Sequence, residues 1–360
     1  MALDILIVFL KAVFIVLTVL TISAVLTWVE RKQSAVMQDR IGANRAQILG
    51  LRMIGLFHIL SDAIKMFTKE EFTPERADKF IHMLAPMVTL FFALVTFTAI
   101  PFGDVLRVGG KTINLQVAGL NASILFVFAI VSLGVYGVVL GGWASENNYS
   151  FLGGLRASAQ MISYEVTIGV AIIGALLIYN TLDLQEMVRY QGHMYFGWIP
   201  RWGILLQPLG FLLFLVAGIA ETKRVPFDLP EGESEIVGYW VEYSSMRWGM
   251  YMFTDFIEMT LLAALTTTLF LGGWQVPWLA ADGFHFPWGL SVGLPHLIVV
   301  LLQVGAFFLK VVFLLWFQML IRWTLPRVRY DQLMRIGWKY LLPLSLANVV
   351  ATAAVLLIIG

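Results

Sequence analysis

The sequence has no cysteine among its 360 residues. This absence excludes disulfide bonds, thiolate zinc sites, iron–sulfur clusters and covalent haem attachment on the chain. Any redox chemistry that involves this protein therefore requires a diffusible carrier or a partner subunit.

Charged residues are scarce, at 13% of the chain, whereas 59% of the residues are hydrophobic and the mean hydropathy is +0.82. A soluble protein of this length needs more polar side chains to cover its surface. The net charge is +1, and no basic region suited to nucleic acid is present. The composition therefore predicts an integral membrane protein that does not bind nucleic acid.

Several chemical motifs are also missing from the sequence. There is no glycine-rich phosphate loop, no dinucleotide-binding pattern and no Ser-His-Asp pattern. The five histidines are scattered, and no pair of them has metal-ligand spacing. These absences argue against nucleotide chemistry and against a metal site on the chain.

Apolar runs long enough to cross the roughly 30 Å hydrocarbon core of a bilayer are frequent. They occur near residues 3–29, 80–101, 120–143, 158–180, 203–220, 248–274, 293–321 and 338–359. The first run is longer than the apolar region of a removable signal peptide, and it lacks the small-residue cleavage site. We therefore expect it to be the first span. The sequence therefore predicts an all-α protein with eight transmembrane helices, forming a single membrane domain over residues 1–360.

The distribution of lysine and arginine predicts the orientation of these helices. The connections after predicted helices one, three, five and seven contain 18 of these residues, and the termini and other connections contain 4. Basic connections face the cytoplasm in most membrane proteins. Both termini are therefore expected on the periplasmic side, with connections 30–79, 221–247 and 322–339 in the cytoplasm.

Six acidic residues fall within 22 positions between two apolar segments. They are Glu221, Asp228, Glu231, Glu233, Glu235 and Glu242. Neighbouring carboxylates raise one another's pKa, and partial burial raises it further, so such a cluster is suited to proton exchange near neutral pH. A solvated acidic loop is the alternative, although the interleaved Phe227, Tyr239 and Trp240 favour partial burial.

Part of this cluster has helical spacing. The positions i, i+4, i+7 and i+11 are occupied by Glu231, Glu235, Gly238 and Glu242. A helix that begins after Pro230 would carry them on one face. The spacing therefore predicts an acidic stripe along a helix.

The connection 30–79 contains a second helical pattern. Apolar residues recur at Leu56, Ile59, Leu60 and Ile64. This spacing predicts an amphipathic helix at the membrane interface. A surface anchor would suffice to explain it, but the charged pair Asp62 and Lys65 on its polar side indicates a further role.

Acidic residues also occur inside the predicted spans. Glu165 lies some two turns inside the fourth span, and Asp255 and Glu258 lie early in the sixth. A carboxylate in a membrane helix is costly and normally faces the bundle interior or a wet cavity. Glu165 is therefore expected either on a proton path or as the structural partner of Arg156 or Ser163.

Several motifs together are similar to those of a known family. They are Trp28-Val-Glu-Arg-Lys32, Gln38-Asp-Arg-Ile-Gly-Ala-Asn-Arg45, Gly55-Leu-Phe-His-Ile-Leu-Ser-Asp-Ala-Ile-Lys65, Leu155-Arg-Ala-Ser-Ala-Gln-Met-Ile-Ser-Tyr-Glu165, Arg224-Val-Pro-Phe-Asp-Leu-Pro-Glu-Gly-Glu-Ser-Glu235, Glu242-Tyr-Ser-Ser245 and Arg327-Val-Arg-Tyr-Asp-Gln-Leu333. They extend over nearly the whole chain, and the run from Pro226 to Glu235 is the most specific. The sequence resembles the H subunit of bacterial respiratory complex I, called subunit 1 of NADH dehydrogenase in mitochondria.

The resemblance implies a function as well as a fold. It implies an eight-helix subunit of the bacterial inner membrane that forms much of the entry tunnel for ubiquinone or menaquinone, the substrate. It also implies that the acids of this chain start the proton path into antiporter-like membrane subunits. Further implied partners are membrane lipid, small membrane subunits, and peripheral quinone-site and iron–sulfur subunits. FMN and the iron–sulfur clusters would be bound by those partner subunits, and no redox centre by this chain.

The resemblance also assigns roles to individual residues. Those expected at the tunnel or its mouth are Arg31, Arg40, Asp62, Lys65, Arg224, Phe227 and Asp228. Those expected on the proton path are Glu165, Glu221, Glu231, Glu233, Glu235, Glu242 and Asp255. The basic connection 322–339 is expected to set the topology, to dock an acidic partner or to offset the nearby carboxylates.

The sequence departs from the family pattern at four places. Ala43 stands where proline is usual, and His58 stands where glutamine is usual. The segment Glu235-Ile-Val-Gly-Tyr239 is one residue short, which would rotate Glu242 by about 100° if the segment were helical. Asp255 replaces a glutamate and so retracts that carboxylate by one methylene.

Three alternative functions compete with this interpretation. A transporter with an acidic gate often shows internal repeats and broken helices, which the sequence does not indicate. A related membrane subunit of a hydrogenase or formate-hydrogen-lyase complex has the same scaffold without quinone, but usually lacks part of the Pro226–Glu235 run. A pure assembly scaffold would leave the acids inside the spans unexplained.

Overall fold

The computed structural model describes residues 2–108, 111–195, 197–232 and 235–359. Helices account for most of these residues. The α-helices in the described part of the chain are α1 (Ala2–Met37), α2 (His58–Thr68), α3 (Lys79–Thr96), α4 (Ser123–Ala144), α5 (Asn148–Tyr179), α6 (Leu184–Gln191), α7 (Gly203–Leu206), α8 (Pro208–Glu221), α9 (Ser245–Phe270), α10 (His296–Thr324), α11 (Tyr330–Arg335) and α12 (Leu342–Ile359). A π-helical segment, Ile336–Leu341, joins α11 to α12, so these two form one continuous rod.

Short antiparallel sheets occupy the connections after α3, α6 and α9. Their strands are β1 (Val105–Val108), β2 (Lys111–Asn114), β3 (Met194–Tyr195), β4 (Ile199–Pro200), β5 (Leu279–Ala280), β6 (Gly283–His285) and β7 (Ser291–Gly293). β1 pairs with β2, β3 pairs with β4, and β6 pairs with both β5 and β7. These strands cover one end of the helix bundle.

Seven helices of the described chain are long and apolar enough to cross a membrane. They run over Asp4–Met37, Lys79–Ala99, Ser123–Ala144, Asn148–Tyr179, Ser245–Phe270, His296–Thr324 and Tyr330–Ile358. The expectation of an all-α integral membrane protein is confirmed. The count of eight is not, because the predicted span 203–220 consists of the short helices α7 and α8.

The break between α7 and α8 has a local cause. Gln207 has φ of −137° and ψ of 61°, outside the helical region, and Pro208 follows it at the start of α8. Proline lacks the N–H that would continue the hydrogen-bond ladder. The 14 residues of α8 rise about 21 Å, less than a bilayer core, at 1.5 Å per residue.

Helix α9 forms the centre of the bundle. In the most apolar part of α9, 89% of the residues are buried inside the molecule. The corresponding share in α1 is 6%. Helix α9 is therefore surrounded by protein on nearly all sides, and its polar residues, including Asp255, are enclosed in the interior. The exposed apolar side chains of α1 and α10 leave these helices at the periphery.

Contacts among the connections show that they gather at two opposite ends of the molecule. At one end, Lys11 Nζ donates to the Gln116 carbonyl at 2.7 Å, and Arg189 pairs with Asp104 at 2.9 Å. We call this the sheet end, because the strands lie there. The connections before α3, α9 and α11 meet at the opposite end, which we call the charged end.

Helix α2 lies at the charged end and confirms the predicted amphipathic helix. Its Met66 carbonyl accepts a hydrogen bond from Ser245 Oγ at 2.7 Å, which attaches α2 to the start of α9. Leu60, Ile64 and Phe67 form an exposed apolar stripe on its other side. A helix attached by one face with an apolar stripe on another suits an interfacial position.

Candidate functional site

The connection between α8 and α9, residues 222–244, contains most of the acids identified in the sequence. Its described part includes one 3-10 turn, Leu229–Glu231, and is otherwise irregular. Val237 and Gly238 have φ of 73° and 114°, values that a continuing α-helix does not allow. The prediction of an acidic stripe along a helix after Pro230 is therefore wrong.

This connection is held against helix α5. Ser150 Oγ donates to the Tyr239 carbonyl at 2.6 Å, and Gln160 Nε2 donates to the Phe227 carbonyl at 2.8 Å. A Cβ atom on Gly153 would lie only 2.9 Å from the Tyr239 nitrogen, so glycine permits this close approach. The connection therefore folds back into the protein rather than out into solvent.

A cavity of about 760 Å³ lies at the charged end between this connection, α1, α9 and the end of α10. Its acidic lining residues are Glu30, Asp228, Glu231 and Asp255, and its basic ones are Arg224, Arg322 and Arg327. The remaining lining is apolar and comprises Trp240, Trp248, Met252 and Phe256. We call this the main cavity, and its size and mixed lining suit a small organic ligand.

The three arginines of the main cavity are paired with two of its acids. Arg327 binds Asp228 with both its Nε and a terminal nitrogen, each at 2.7 Å, in a bidentate pair. Arg322 lies 2.9 Å from the Glu30 carboxylate, and Arg224 lies 3.8 Å from it. These pairs connect the 222–244 connection and α10 to α1.

Glu231 and Asp255 form a second, less compensated group. Asp255 is only 1% exposed, and Glu231 Oε1 is buried without a hydrogen-bond partner among the described residues. Burial raises the pKa of Glu231 well above its ordinary value, and the charge of Asp255 raises it further, against the opposing effects of Lys223 and Arg224. The proton on Glu231 is therefore held to a higher pH than on an ordinary glutamate.

Further acids continue from the main cavity toward the bundle interior. Glu258 lies on α9 one turn beyond Asp255, and together with Glu221 it lines an inner pocket of about 30 Å³. Glu221 is within electrostatic range of Glu165 on α5. Glu165 in turn accepts a hydrogen bond from Ser132 on α4. Of the two partners expected from the sequence, Arg156 pairs elsewhere and Ser163 donates to the Ala159 carbonyl.

A second cavity of about 600 Å³ adjoins the main cavity. Trp240 and Trp248 line both, so these two side chains stand between them. Lys65 and Lys69 of α2 lie on its outer side. The two cavities together connect the amphipathic helix to the buried acids.

Five of the seven residues expected at the tunnel lie in three places. Arg224 and Asp228 line the main cavity, and Lys65 lines the second one. Arg31 and Asp62 bind each other between α1 and α2. The other two lie elsewhere. Phe227 is buried against the Tyr164 ring, and the exposed Arg40 donates a hydrogen bond to Gln38 Oε1 at 2.7 Å.

The acids expected on the proton path are also divided. Glu221, Glu231 and Asp255 line the main cavity or inner pocket, with Glu165 beyond them. Glu235 is 43% exposed and pairs with Arg156 at 3.0 Å. Glu242 accepts a hydrogen bond from Asn147 at 2.6 Å, apart from this group. Glu233 lies outside the described residues.

Sequence reasoning missed two charged residues of the site. Lys223, 1% exposed, lies 3.2 Å from Asp255 and 3.7 Å from Glu258. Glu30 is the common partner of Arg224 and Arg322. Glu30 lies at the end of the apolar run of α1, and Lys223 follows α8. Both lie within or beside a family motif, which was the available signal, but their partners are distant in sequence.

Seven membrane-length helices and a cavity that combines buried carboxylates, arginines and aromatic rings define a multi-pass membrane protein with a charged internal cavity. Comparison with known proteins then identifies its family. A family model described as NADH dehydrogenase matches residues 10–353, and the chain belongs to this family.

The sequence aligns with those of similar proteins over nearly their whole lengths. The chain is 42% identical over 354 residues to an H subunit of the NADH-quinone oxidoreductase of Cytophaga hutchinsonii, covering 97% of each protein. It is 43% identical over 347 residues to the H subunit of the NADH-quinone oxidoreductase of Thermomicrobium roseum, covering 95% of this chain and 94% of that protein. The resemblance drawn from the motifs is thereby confirmed.

Proposed function

We propose that this chain is the H subunit of a bacterial NADH-quinone oxidoreductase and that the main cavity receives the quinone. The names of its relatives support the first part. The observation that carries the second is the position of Glu231 and Asp255, two buried carboxylates on the wall of a cavity with aromatic and arginine lining. A redox ligand in this cavity would change the electric field at both acids.

The cavity lining matches the chemistry of a quinone. Trp240, Trp248 and Phe256 offer apolar surface to a planar ring. The arginines offer N–H donors to its two carbonyl oxygens and to the negative charge that develops during reduction. Reduction to the quinol needs two electrons and two protons. The electrons would come from FMN and iron–sulfur clusters on partner subunits, and this chain would supply binding and protons.

The acids beyond the main cavity would transmit the effect of quinone reduction to the proton-pumping partner subunits. Reduction of the quinone would alter the protonation of Glu231 and Asp255, because charges in a low-dielectric site interact strongly. The change would pass to Glu258 and Glu221 in the inner pocket and then to Glu165. From there it would reach antiporter-like partner subunits.

The second cavity would form the mouth of the quinone tunnel. Lys65 lines it, and the Arg31–Asp62 pair connects the adjoining helices α1 and α2. The exposed apolar stripe of α2 would place this mouth at the membrane surface, where a lipid-soluble quinone arrives. Peripheral quinone-site and iron–sulfur subunits would cover the charged end on the cytoplasmic side.

Replacement of Glu231 or Asp255 tests the proposal. In the assembled complex, Glu231→Gln and Asp255→Asn are expected to lower quinone-linked NADH oxidation and proton pumping together by roughly 100-fold, the lower end of the range for lost proton-transfer catalysis. Both reactions are measured in the same reconstituted vesicles. NADH oxidation by a water-soluble acceptor, which bypasses the quinone, should be unchanged.

Glu186→Gln is the matched control, since Glu186 is an exposed glutamate at the sheet end that bonds Thr181. It is expected to behave like the wild type. Normal quinone-linked turnover and normal pumping in both Glu231→Gln and Asp255→Asn would refute the proposed role of the main cavity.

A further inference from the structure

The buried ammonium of Lys223 occupies an unusual position in the site. Its side chain is 1% exposed, and its Nζ atom lies 3.2 Å from Asp255 Oδ1 and 3.7 Å from Glu258 Oε2. It also lies 3.4 Å from the Tyr239 hydroxyl. A lysine buried to this extent is rare unless it is paired, and here two carboxylates share it.

Lys223 stands at the boundary between two compartments. Asp255 lines the main cavity, whereas Glu258 lines the inner pocket together with Glu221. Both acids lie on α9 one helical turn apart, so they face the same side. A proton that moves from the main cavity to the inner pocket by way of these two acids therefore passes the Lys223 ammonium.

The charge balance at this boundary favours a single shared proton. Two carboxylates and one ammonium have a net charge of −1, and one bound proton makes the group neutral. A low-dielectric environment favours the neutral arrangement. One carboxyl is then protonated while the other is ionised and paired with Lys223, so an acceptor for the proton is always present.

We propose that Lys223 is a positioning residue for proton transfer, acting as a counter-ion that alternates between Asp255 and Glu258. In this step the O–H bond of protonated Asp255 breaks and an O–H bond forms on Glu258. The ammonium moves from Glu258 to the newly ionised Asp255, and no electrons are exchanged. The two Nζ distances differ by so little that a small displacement suffices. This inference rests on the proposed function of the site.

The surroundings of Lys223 keep it charged. Burial by itself lowers the pKa of Lys223, but Glu258, Tyr239, Asp255 and Glu231 together raise it well above its ordinary value. The neighbouring Arg224 is engaged with Glu30 and lies over the Phe256 ring at 4.4 Å. Lys223 is therefore a permanent cation at the boundary, and the mobile charge is the proton.

Without the ammonium, neutrality would require a proton on each of the two carboxyls. No acceptor would then be free, and transfer would stop until a higher pH removed one proton. Loss of Lys223 would also remove a charge that lowers the pKa of Glu231. Both effects predict that pumping in a neutral variant recovers only toward high pH.

The test compares Lys223→Met, Lys223→Gln and Lys223→Arg in the assembled complex. Lys223→Met and Lys223→Gln are expected to lose roughly 100-fold in pumping at neutral pH, the lower end of the range for lost proton transfer, with the pH profile displaced to higher pH. Lys223→Arg keeps the charge and is expected to retain the wild-type profile, even if its larger group lowers the rate. If Lys223 had a purely structural role, the neutral variants and Lys223→Arg would not differ in their pH profiles.

Several results would overturn the inference. Wild-type pumping and pH profile in Lys223→Gln would do so, as would an equal loss in all three variants with no change of profile. If Lys223→Met fails to assemble, Lys223→Gln decides, because glutamine retains a donor for the same partners. Failure of both neutral variants to assemble while Lys223→Arg assembles also overturns it, since the charge would then serve assembly.

The Glu231→Gln and Asp255→Asn variants separate this inference from the proposed function. If these two lose pumping while the Lys223 variants do not, the inference fails and the proposed function stands. If none of the variants is impaired, both fail.

Discussion

At the scale of single residues, acids of the same type differ in the partners that the fold provides. Asp228 is held by the bidentate guanidinium of Arg327. Glu231 lies three positions further along the chain, yet its Oε1 has no hydrogen-bond partner among the described residues. The first carboxylate is matched by an opposite charge, whereas the second is buried beside the like charge of Asp255, which raises its pKa.

The raised pKa of Glu231 predicts a pH-dependent cost in stability. Burial and the charge of Asp255 disfavour ionised Glu231, so the folded protein keeps this proton to a higher pH than the unfolded chain does. The free energy of unfolding therefore decreases as the pH rises from the ordinary value of 4.5 toward the raised one. Glutamine at this position cannot ionise and avoids the cost.

Glu231→Gln is accordingly expected to match the wild type in thermal stability at about pH 4, below the ordinary pKa, and to exceed it at about pH 8. The measurement is the unfolding temperature of the purified complex at both values, with Glu186→Gln as control. A difference between variant and wild type that does not increase with pH would contradict the burial of this carboxyl. The more stable variant should also be the less active one, as is common when a functional group is removed.

At the scale of secondary-structure elements, the interrupted α7–α8 segment depends on a polar network inside the bundle. Asn348 Nδ2 on α12 donates to Gln207 Oε1 at 2.8 Å, and Gln207 Nε2 donates to Thr352 Oγ1 at 2.5 Å. All three residues are buried. The network therefore attaches the start of α8 to α12 at the point where the helix is broken.

Asn348→Leu is expected to destabilise this attachment by about 1 kcal/mol, the usual size of a hydrogen bond between membrane helices. Gln207 Oε1 would lose its donor in an apolar interior. The expected result is a lower unfolding temperature of the complex with unchanged pumping per quinone reduced. Val350→Leu, on the exposed side of the same helix, is the matched control and should have no effect. Equal unfolding temperatures for the two variants would show that the network contributes nothing measurable.

At the scale of the whole molecule, the orientation in the membrane follows from the distribution of charge. The charged end contains the connections in which most lysines and arginines lie, and the sheet end contains few. The positive-inside rule then predicts that the charged end faces the cytoplasm. Lys11 and Lys310, although inside spans, bond backbone carbonyls at the sheet end and do not alter this balance.

The absence of native cysteine makes this orientation directly testable. Ser291→Cys lies in β7 at the sheet end, and Gln47→Cys lies in the connection between α1 and α2 at the charged end, both at exposed positions. A membrane-impermeant thiol reagent is expected to label Ser291→Cys in intact spheroplasts and Gln47→Cys only in inside-out vesicles. The reverse pattern would invert the predicted topology, and the unmodified chain is the control.

The class of protein, the positions of most helices and the family could all be predicted from the amino-acid sequence. These depend on local and cumulative properties. A long run of apolar residues must be removed from water, into lipid or into protein, whatever its neighbours are, and motifs such as Pro226–Glu235 are contiguous. The amphipathic helix α2 was predictable for the same reason, because its periodicity is local.

Which charges face one another depends on the tertiary structure and could not be predicted from the sequence. Lys223 was not identified from the sequence, because its partners Asp255 and Glu258 are more than 30 positions away. The acidic stripe predicted over Glu231–Glu242 does not form, since positive φ values at Val237 and Gly238 end any helix there. The pKa and pairing of a carboxylate depend on burial and on charges within a few ångströms, and those distances are set by the packing of helices remote in sequence.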